Sequence, residues 1–486
     1  MNKRSLLYSC LIALLPAFSC NKVLDVKTVS DITNASYWKS PGDVTGYLTG
    51  IYALLRGTVN DKNYFNTTYY MEDRSDAFIA GLEGGMSTAW QQNLNNANAP
   101  NWLNYYNIIY HCNLLLKNAP GINFPNSTDR DRAMAETYFI RAYTYFWLIR
   151  SWGDVPLMLE PVASSNQQQP SRAPAVDVMA QVLKDIDAAI ALFPEGAFVN
   201  KNRASKPAAF TLKADALLWK FKVLKGNDAD LQEAMTALQQ VESTAGLTLL
   251  DNFASVFATN NRANAEIIFS VYFKKDERSD MYGSQLKPRD IFVQDAVNKN
   301  DIAAAKNGAR SQYMPSPKFE SMFTDAADKR KNASFIKAIG PNNKLIGVFD
   351  NKFRGTKDTD WFYDADIVIY RFAEIFLLKA EALAALGRVS DAVTALNRTR
   401  TRAGIGNYTG PADKTSVEKE ILNERFRELW LEQKRWPDLL RFHYAGTINV
   451  YTEVPNLNGK NVPLYFPIPK AQIDLNPNLK QTAGYQ

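Results

Sequence analysis

The chain has 486 residues, with 56 Lys plus Arg against 50 Asp plus Glu, 46% hydrophobic and 22% charged residues, so it can bury a sizeable core and is not a disordered chain. Two histidines and three cysteines exclude a His-rich metal centre, a zinc ribbon and a disulfide-dense scaffold. A charge balance this even carries no nucleic-acid signature, which needs a basic stripe.

Lys3 and Arg4 precede an apolar run from Leu6 to Leu15, too short to span a bilayer but suited to the core of a signal peptide. The run ends in Ala17-Phe18-Ser19-Cys20, which resembles a bacterial lipobox, so residues 1–19 are expected to be a lipoprotein signal and Cys20 the lipidated first residue. Ordinary signal-peptidase cleavage nearby is the alternative. Cys10 then leaves with the signal and Cys20 carries lipid. Only Cys112 remains, and no internal disulfide is expected. Lys3 and Arg4 leave too, so 54 basic residues face 50 acidic ones. No later stretch reaches about 18 consecutive apolar residues, which makes lipid the expected sole membrane attachment.

Residues 20–40 read as an N-terminal tether. Helical periodicity begins near Pro41 and runs through Leu55. Residues 60–101 are rich in Asn, Gly, Tyr, Asp and Thr and read as a long surface loop. Periodicity returns at Trp102, Tyr105, Ile109 and Leu116. Over 131–152, Ala135, Tyr138, Ala142, Tyr145 and Ile149 give one continuous apolar stripe, with Thr128 and Asp131 as a start signal and Gly153 and Pro156 as the stop. Helices are expected at about 175–193, 207–225 and 230–243. Residues 266–273 and 345–353 read as short strands within a loop-rich insertion, 251–365.

From Tyr370, Ala373, Leu377, Ala380 and Leu383 define a helix that Gly387 breaks. A second helix, capped by Ser390, ends by Gly404. The spacing Gly387-x-Val389-x-x-Ala392 is that of a tetratricopeptide repeat, with 131–193 and 207–243 as further helix pairs. A third helix, about 416–436, opens with Thr415 and Glu418 as a capping box and stops before Pro437. Arg425 with Glu428, and Glu432 with Arg435, stand at the spacing of ion pairs along its face. The expected fold is mainly α: a tetratricopeptide-like helical-repeat core with long irregular loops and a few short strands. One domain is expected over 20–486. Its scaffold is 41–250 and 366–445, and 446–486 is a C-terminal docking segment.

Five segments, in order, carry a family resemblance. They are Cys20-Asn21-Lys22-Val23-Leu24-Asp25, ETYFIRAYTYFWLIRSWGDVPL (136–157), RFAEIFLLKAEALAALG with LNRTRTRAG (371–404), ERFRELWLEQKRWPDLLR (424–441) and LYFPIPKAQIDLNPNLKQTAGY (464–485). Together they resemble the SusD/RagB family of outer-membrane nutrient-binding lipoproteins. Gln433, Lys434 and Pro437 depart from the family's more usual Gly, His and aromatic residue. The resemblance implies capture of an oligosaccharide, or in some branches a peptide, on the outside of the cell. It also implies a SusC-like TonB-dependent transporter as partner, over which the protein sits as a lid. A repeat scaffold with no ligand of its own is the remaining reading.

No G-x-S-x-G elbow, Walker-type loop or H-E-x-x-H occurs, so no enzyme, metal or cofactor is expected. Sugar recognition needs aromatic faces and a rim of amides, carboxylates and Arg. The loop over 64–96 offers Tyr64, Tyr69 and Tyr70, then Asp73, Arg74 and Asp76, then Trp90 and Asn93. Trp90 is expected to stack on the sugar, Asn93 and Asp73 to bond hydroxyls, and Arg74 to orient the rim. The alternative packs Trp90 under the loop and pairs Asp73 with Arg74. Tyr272, Tyr282 and Trp361 form a weaker second cluster.

Overall fold

A computed structural model describes residues 37–60, 67–162, 169–196, 198–277 and 283–485. Cys20, the lipobox, the tether as far as residue 36, Tyr64 and Tyr282 lie outside the described residues.

Among the described residues the long helices are α1 (Pro41–Val59), α2 (Leu103–Asn118), α3 (Ser127–Trp152), α4 (Ala175–Leu192), α5 (Lys206–Val223), α6 (Asp228–Glu242), α7 (Phe372–Ala385), α8 (Val389–Ala403), α9 (Lys414–Leu429) and α10 (Arg435–Tyr444). From α1 to α9 each packs on its predecessor and its successor in the chain. The fold is therefore mainly α, a helical-repeat core of tetratricopeptide type in which each helix buries its face on its sequence neighbours. None of these helices is long and apolar enough to cross a membrane.

Helix α3 is the centre of the stack. Asn126, not Thr128, caps it, accepting the Thr128 amide, and the helix starts four residues earlier than its apolar pattern suggests. It ends at Gly153, whose φ of 71° is left-handed backbone. The single-stripe reading is corrected: from Phe139 to Trp152 every side chain is buried, because helices, the strand around Phe269 and the C-terminal segment surround it. Its polar groups are matched internally. Arg141 donates to both Asp185 oxygens at 2.8 and 2.7 Å, and Glu136 accepts from Tyr52 at 2.6 Å.

Among the described residues the strands are short and form four two-stranded antiparallel ribbons: β1 (Phe78–Ala80) with β3 (Tyr313–Pro315), β2 (Ile267–Val271) with β8 (Ile367–Arg371), β4 (Phe335–Ile339) with β5 (Leu345–Asp350), and β6 (Thr356–Lys357) with β7 (Trp361–Phe362). One hydrophobic cluster runs from Val44 to Leu479 and joins helices, ribbons and the C-terminal segment.

The charged helix expected over 416–436 is two helices. Asp413 caps α9, which ends at Leu429, and Leu431 and Gln433 take positive φ values of 63° and 65° before α10 begins. Pro437 lies in the first turn of α10, where a missing N–H costs nothing, so it marks a start where the sequence suggests a stop. The i,i+3 pairs expected of Arg425 and Glu432 do not form. Arg425 reaches Asp438 at 2.8 Å, while Arg371 binds Glu266, Glu428 and Glu432 at 2.6–2.7 Å. Arg330 gathers Asp328, Glu424 and Glu428, and Lys352 meets Glu432 at 2.6 Å. These charges are excluded from water and tie the 251–365 segment to α8 and α9. Such pairs are costly to break, because a lone partner is left buried and uncompensated.

Candidate functional site

The aromatic and charged residues expected to meet a ligand fall into two groups. Residues 68–78 are buried without exception and form a hub, not a surface loop. Tyr69 stacks on Phe466 with centroids 5.9 Å apart, and its hydroxyl lies 3.2 Å from Thr88 Oγ1. Tyr70 donates to the Asn101 carbonyl at 3.1 Å and sits edge-on to Tyr105. Arg74 donates to the Leu464 and Pro463 carbonyls at 2.7 Å each and to Gln92 Oε1 at 2.9 Å, with its guanidinium over the Trp436 ring. Asp76 accepts both Arg435 nitrogens at 2.7 Å and Lys318 at 2.7 Å. Asp73 Oδ2 accepts from Ser87 at 2.6 Å and Tyr313 at 2.8 Å, and Asp73 does not pair with Arg74.

Tyr69, Tyr70, Asp73, Arg74 and Asp76 are thus corrected from ligand contacts to structural groups. Most of their hydrogen bonds go to other segments of the chain, while Asp73 Oδ1 has no partner among the described residues. Burial pushes the Asp73 carboxyl up to about 6 against the pull of its two hydroxyl partners, and it pushes neighbouring Glu72 up to about 8.

Trp90 and Asn93 lie outside the hub. Ser87, anchored by Asp73, accepts the Trp90 amide at 3.1 Å, and the half-buried indole donates to the Phe78 carbonyl at 3.0 Å. Asn93 is exposed immediately after Gln92, whose side chain Arg74 holds. A framework of buried polar groups therefore fixes a surface turn.

That turn leads to a second feature. Gly81 and Glu83 donate backbone N–H groups to Gln312 and Ser311, and Glu83 pairs with Arg289 at 2.7 Å. Beyond Arg289 opens a cleft of about 590 Å³, built from 290–306 and the β6–β7 hairpin. Half-buried Trp361 lines it together with Ile291, Lys299, Lys306, Lys357 and Asp360. Asp364 holds the hairpin by accepting the amides of Thr356 and Lys275 at 2.9 and 3.2 Å. Gly355 lets the hairpin close, since a Cβ there would stand 2.0 Å from the Phe362 carbonyl oxygen. Arg354 lies over the Trp361 ring at 5.3 Å and Lys357 at 5.7 Å. Tyr272 is turned to Arg262, 5.5 Å over its ring, on the Asp364–Asp366 side of the hairpin. A cleft of about 640 Å³ at Tyr465 and Arg172 offers fewer donors, because Arg172 is spent on the carbonyls of Trp152, Asp154 and Lys480.

Sequence reasoning singled out Trp361 but missed Ile291, Lys299 and Lys306. Nothing in the primary pattern brings 290–306 to the hairpin; backbone bonds from Lys306 and Asn307 to Asp360 do so. Among the described residues no group of three or more His, Cys, Asp or Glu could hold a metal ion. A half-buried indole with donors around it, in a cleft of this volume, is suited to binding a polar ring compound.

Comparison with known proteins gives the architecture a place. Residues 22–217 match the family described as "Starch-binding associating with outer membrane", and residues 337–485 match the SusD family. SusD-like protein P25 of Formosa agariphila is 23% identical, over 98% of this chain and 96% of its own length. The starch-binding protein SusD of Bacteroides thetaiotaomicron is 37% identical over 128 residues, 25% of this chain and 22% of that protein. The solved structure of B. fragilis NanU superposes with a TM-score of 0.82 at 28% identity, covering 95% of this chain and all of the other. With residues 22–217 and 337–485 matched and the helical stack shared with a solved relative, the chain belongs to the SusD family.

Proposed function

We propose that the protein captures oligosaccharides at the cell surface and passes them to a SusC-like TonB-dependent transporter of the outer membrane. The observation that carries this reading is Trp361, half-buried at a cleft of sugar size with lysines and backbone-anchored Asp360 around it. An indole face takes the C–H side of a pyranose while the rim bonds hydroxyls. The starch-binding name of the Bacteroides thetaiotaomicron relative and the description of the family matched at 22–217 point the same way. Trp90 and Asn93, on the turn leading to Arg289, are a second contact for a longer chain.

Residues 20–486 act in this reading as one domain, attached by lipid at Cys20 and facing the cell exterior. Mass spectrometry of the mature N-terminus tests the anchor, and co-purification from outer membranes tests the transporter. Affinity electrophoresis in gels containing a panel of polysaccharides tests the site. Wild type is retarded by the cognate glycan and W361A migrates freely. Retardation of W361A equal to wild type removes Trp361 from the site. Binding of a peptide pool with no glycan response turns the cargo assignment to peptides.

A further inference from the structure

The cleft at Trp361 is lined by three lysines and three aspartates, Asp290, Asp358 and Asp360, and the two sets are not paired with each other among the described residues. Lys299, Lys306 and Lys357 line it, all three exposed. None of their ammonium groups meets a carboxylate among the described residues: Lys299 donates to the Gln294 carbonyl at 3.5 Å, and Lys357 lies over Trp361. The acids of the same lining are mostly engaged. Asp358 is paired outward with Lys275. Asp360 accepts backbone N–H groups from Lys306, Asn307 and Trp361 at 3.0, 3.1 and 2.9 Å. Asp290 alone among them has a carboxylate with no partner among the described residues.

We propose that this cleft selects an acidic saccharide, whose ring lies on Trp361 and whose carboxylate or sulfate is met by Lys306, Lys357 and Lys299. The inference rests on the glycan reading above and adds to it the charge of the ligand. Lysines spaced around one indole let a single anion draw charge-assisted bonds from several donors while the ring keeps its apolar contact. Exposed ammonium groups are individually weak attractors, and salt screens them. The preference therefore appears as a salt-sensitive gain in affinity, shared among the three lysines.

The test uses the full chain in affinity electrophoresis and calorimetry, with polygalacturonate, a sulfated galactan and a set of neutral glucans and galactans as probes. The expected result is binding of one acidic polymer, weakened about tenfold or more by K299Q/K306Q/K357Q, a change equal to about 1.4 kcal/mol. Raising salt to about 0.5 M weakens it as well, since the screening length falls to a few ångströms. The two acidic polymers tell carboxylate from sulfate. Binding of a neutral polymer alone, lost in W361A and unchanged in the triple lysine variant, overturns the charge preference and leaves the glycan reading standing. Binding of no polymer overturns both. Because the three lysines are exposed, the triple variant keeps the wild-type unfolding temperature, and a glycan whose affinity it does not alter is not held by them.

Discussion

Asp76 and Arg435, 359 positions apart, form a bidentate ion pair with both nitrogen–oxygen distances at 2.7 Å and both side chains shut away from water. Asp76 lies in the buried hub, and Arg435 opens α10. Lys318 joins the same carboxylate from the 251–365 segment. Three parts of the chain therefore meet at one acid. Removing one partner leaves the other charged and desolvated, so R435A is expected to lose about 3–5 kcal/mol of stability. Urea unfolding monitored by tryptophan fluorescence measures this. A loss below about 1 kcal/mol, the range of an exposed pair, would contradict the burial assigned to it.

A second prediction concerns Arg74. Its guanidinium holds the carbonyls of Pro463 and Leu464, so R74A is expected to loosen the C-terminal segment before the helical stack. Hydrogen exchange should speed up at 464–466 and at Gln92, and global stability should fall by about 2–4 kcal/mol as buried carbonyls lose a charged donor. R74K restores the charge without the fork and is expected to recover only part. Unchanged exchange at 464–466 counts against the latch.

The third prediction follows from two carboxyls shifted in opposite directions. Burial raises Glu72 from its ordinary 4.5 to about 8, although the Gln433 and Lys434 amides pull the other way. The native state then holds a proton that the unfolded chain has released. Stability is expected to fall as pH rises from about 4.5 to 8. Burial would raise Glu424 too, but Arg330 and Arg427 hold it down to about 2. It stays ionised when the unfolded chain protonates, so its contribution is lost as pH falls from about 4.5 to 2. Thermal unfolding across pH 2–9 should give a maximum on the acid side of neutrality. E72Q should flatten the alkaline limb only, and a variant curve parallel to wild type between pH 5 and 8 would remove Glu72 as the cause.

Trp90 supplies a fourth. Its indole N–H bonds the Phe78 carbonyl at the end of the hub, so W90F keeps the packing and loses one hydrogen bond, about 1 kcal/mol. W90A loses the packing as well and is expected to cost about 3–5 kcal/mol if the turn cannot collapse into the space. Circular dichroism and urea midpoints separate the two. Glycan retention by W90F with loss in W90A would place the ring face in the binding surface.

How far the sequence foretold this structure depends on the reach of each contact. Helices α7 and α8 were legible because their apolar spacing and the break at Gly387 are local properties. The cap at Asn126 was missed because the first turn of α3 is polar and carries no apolar period. The hub was misread for the opposite reason: Tyr69, Tyr70, Asp73, Arg74 and Asp76 look like surface chemistry until Phe466, Tyr313, Pro463 and Arg435 arrive to match them. Pro437 misled because a proline ends one helix and begins another with equal ease. At the site, Trp361 stood out by type, while Lys306 was brought to the cleft by Asp360, a relationship invisible along the chain.

The hub also fixes an order of events. Glu72, Arg74 and Asp76 lie near the beginning of the chain, and the groups that satisfy them, Gln433, Arg435, Pro463 and Leu464, are the last to be made. Until those arrive, an early stretch of the polypeptide carries charges with nowhere to go. Closing a loop of that length is slow compared with forming a helix pair. Helix hairpins such as α5 and α6 can assemble from their own neighbours as they emerge, but the centre of the molecule waits for its tail. A chain cut short before residue 433 would hold its repeats and never seal.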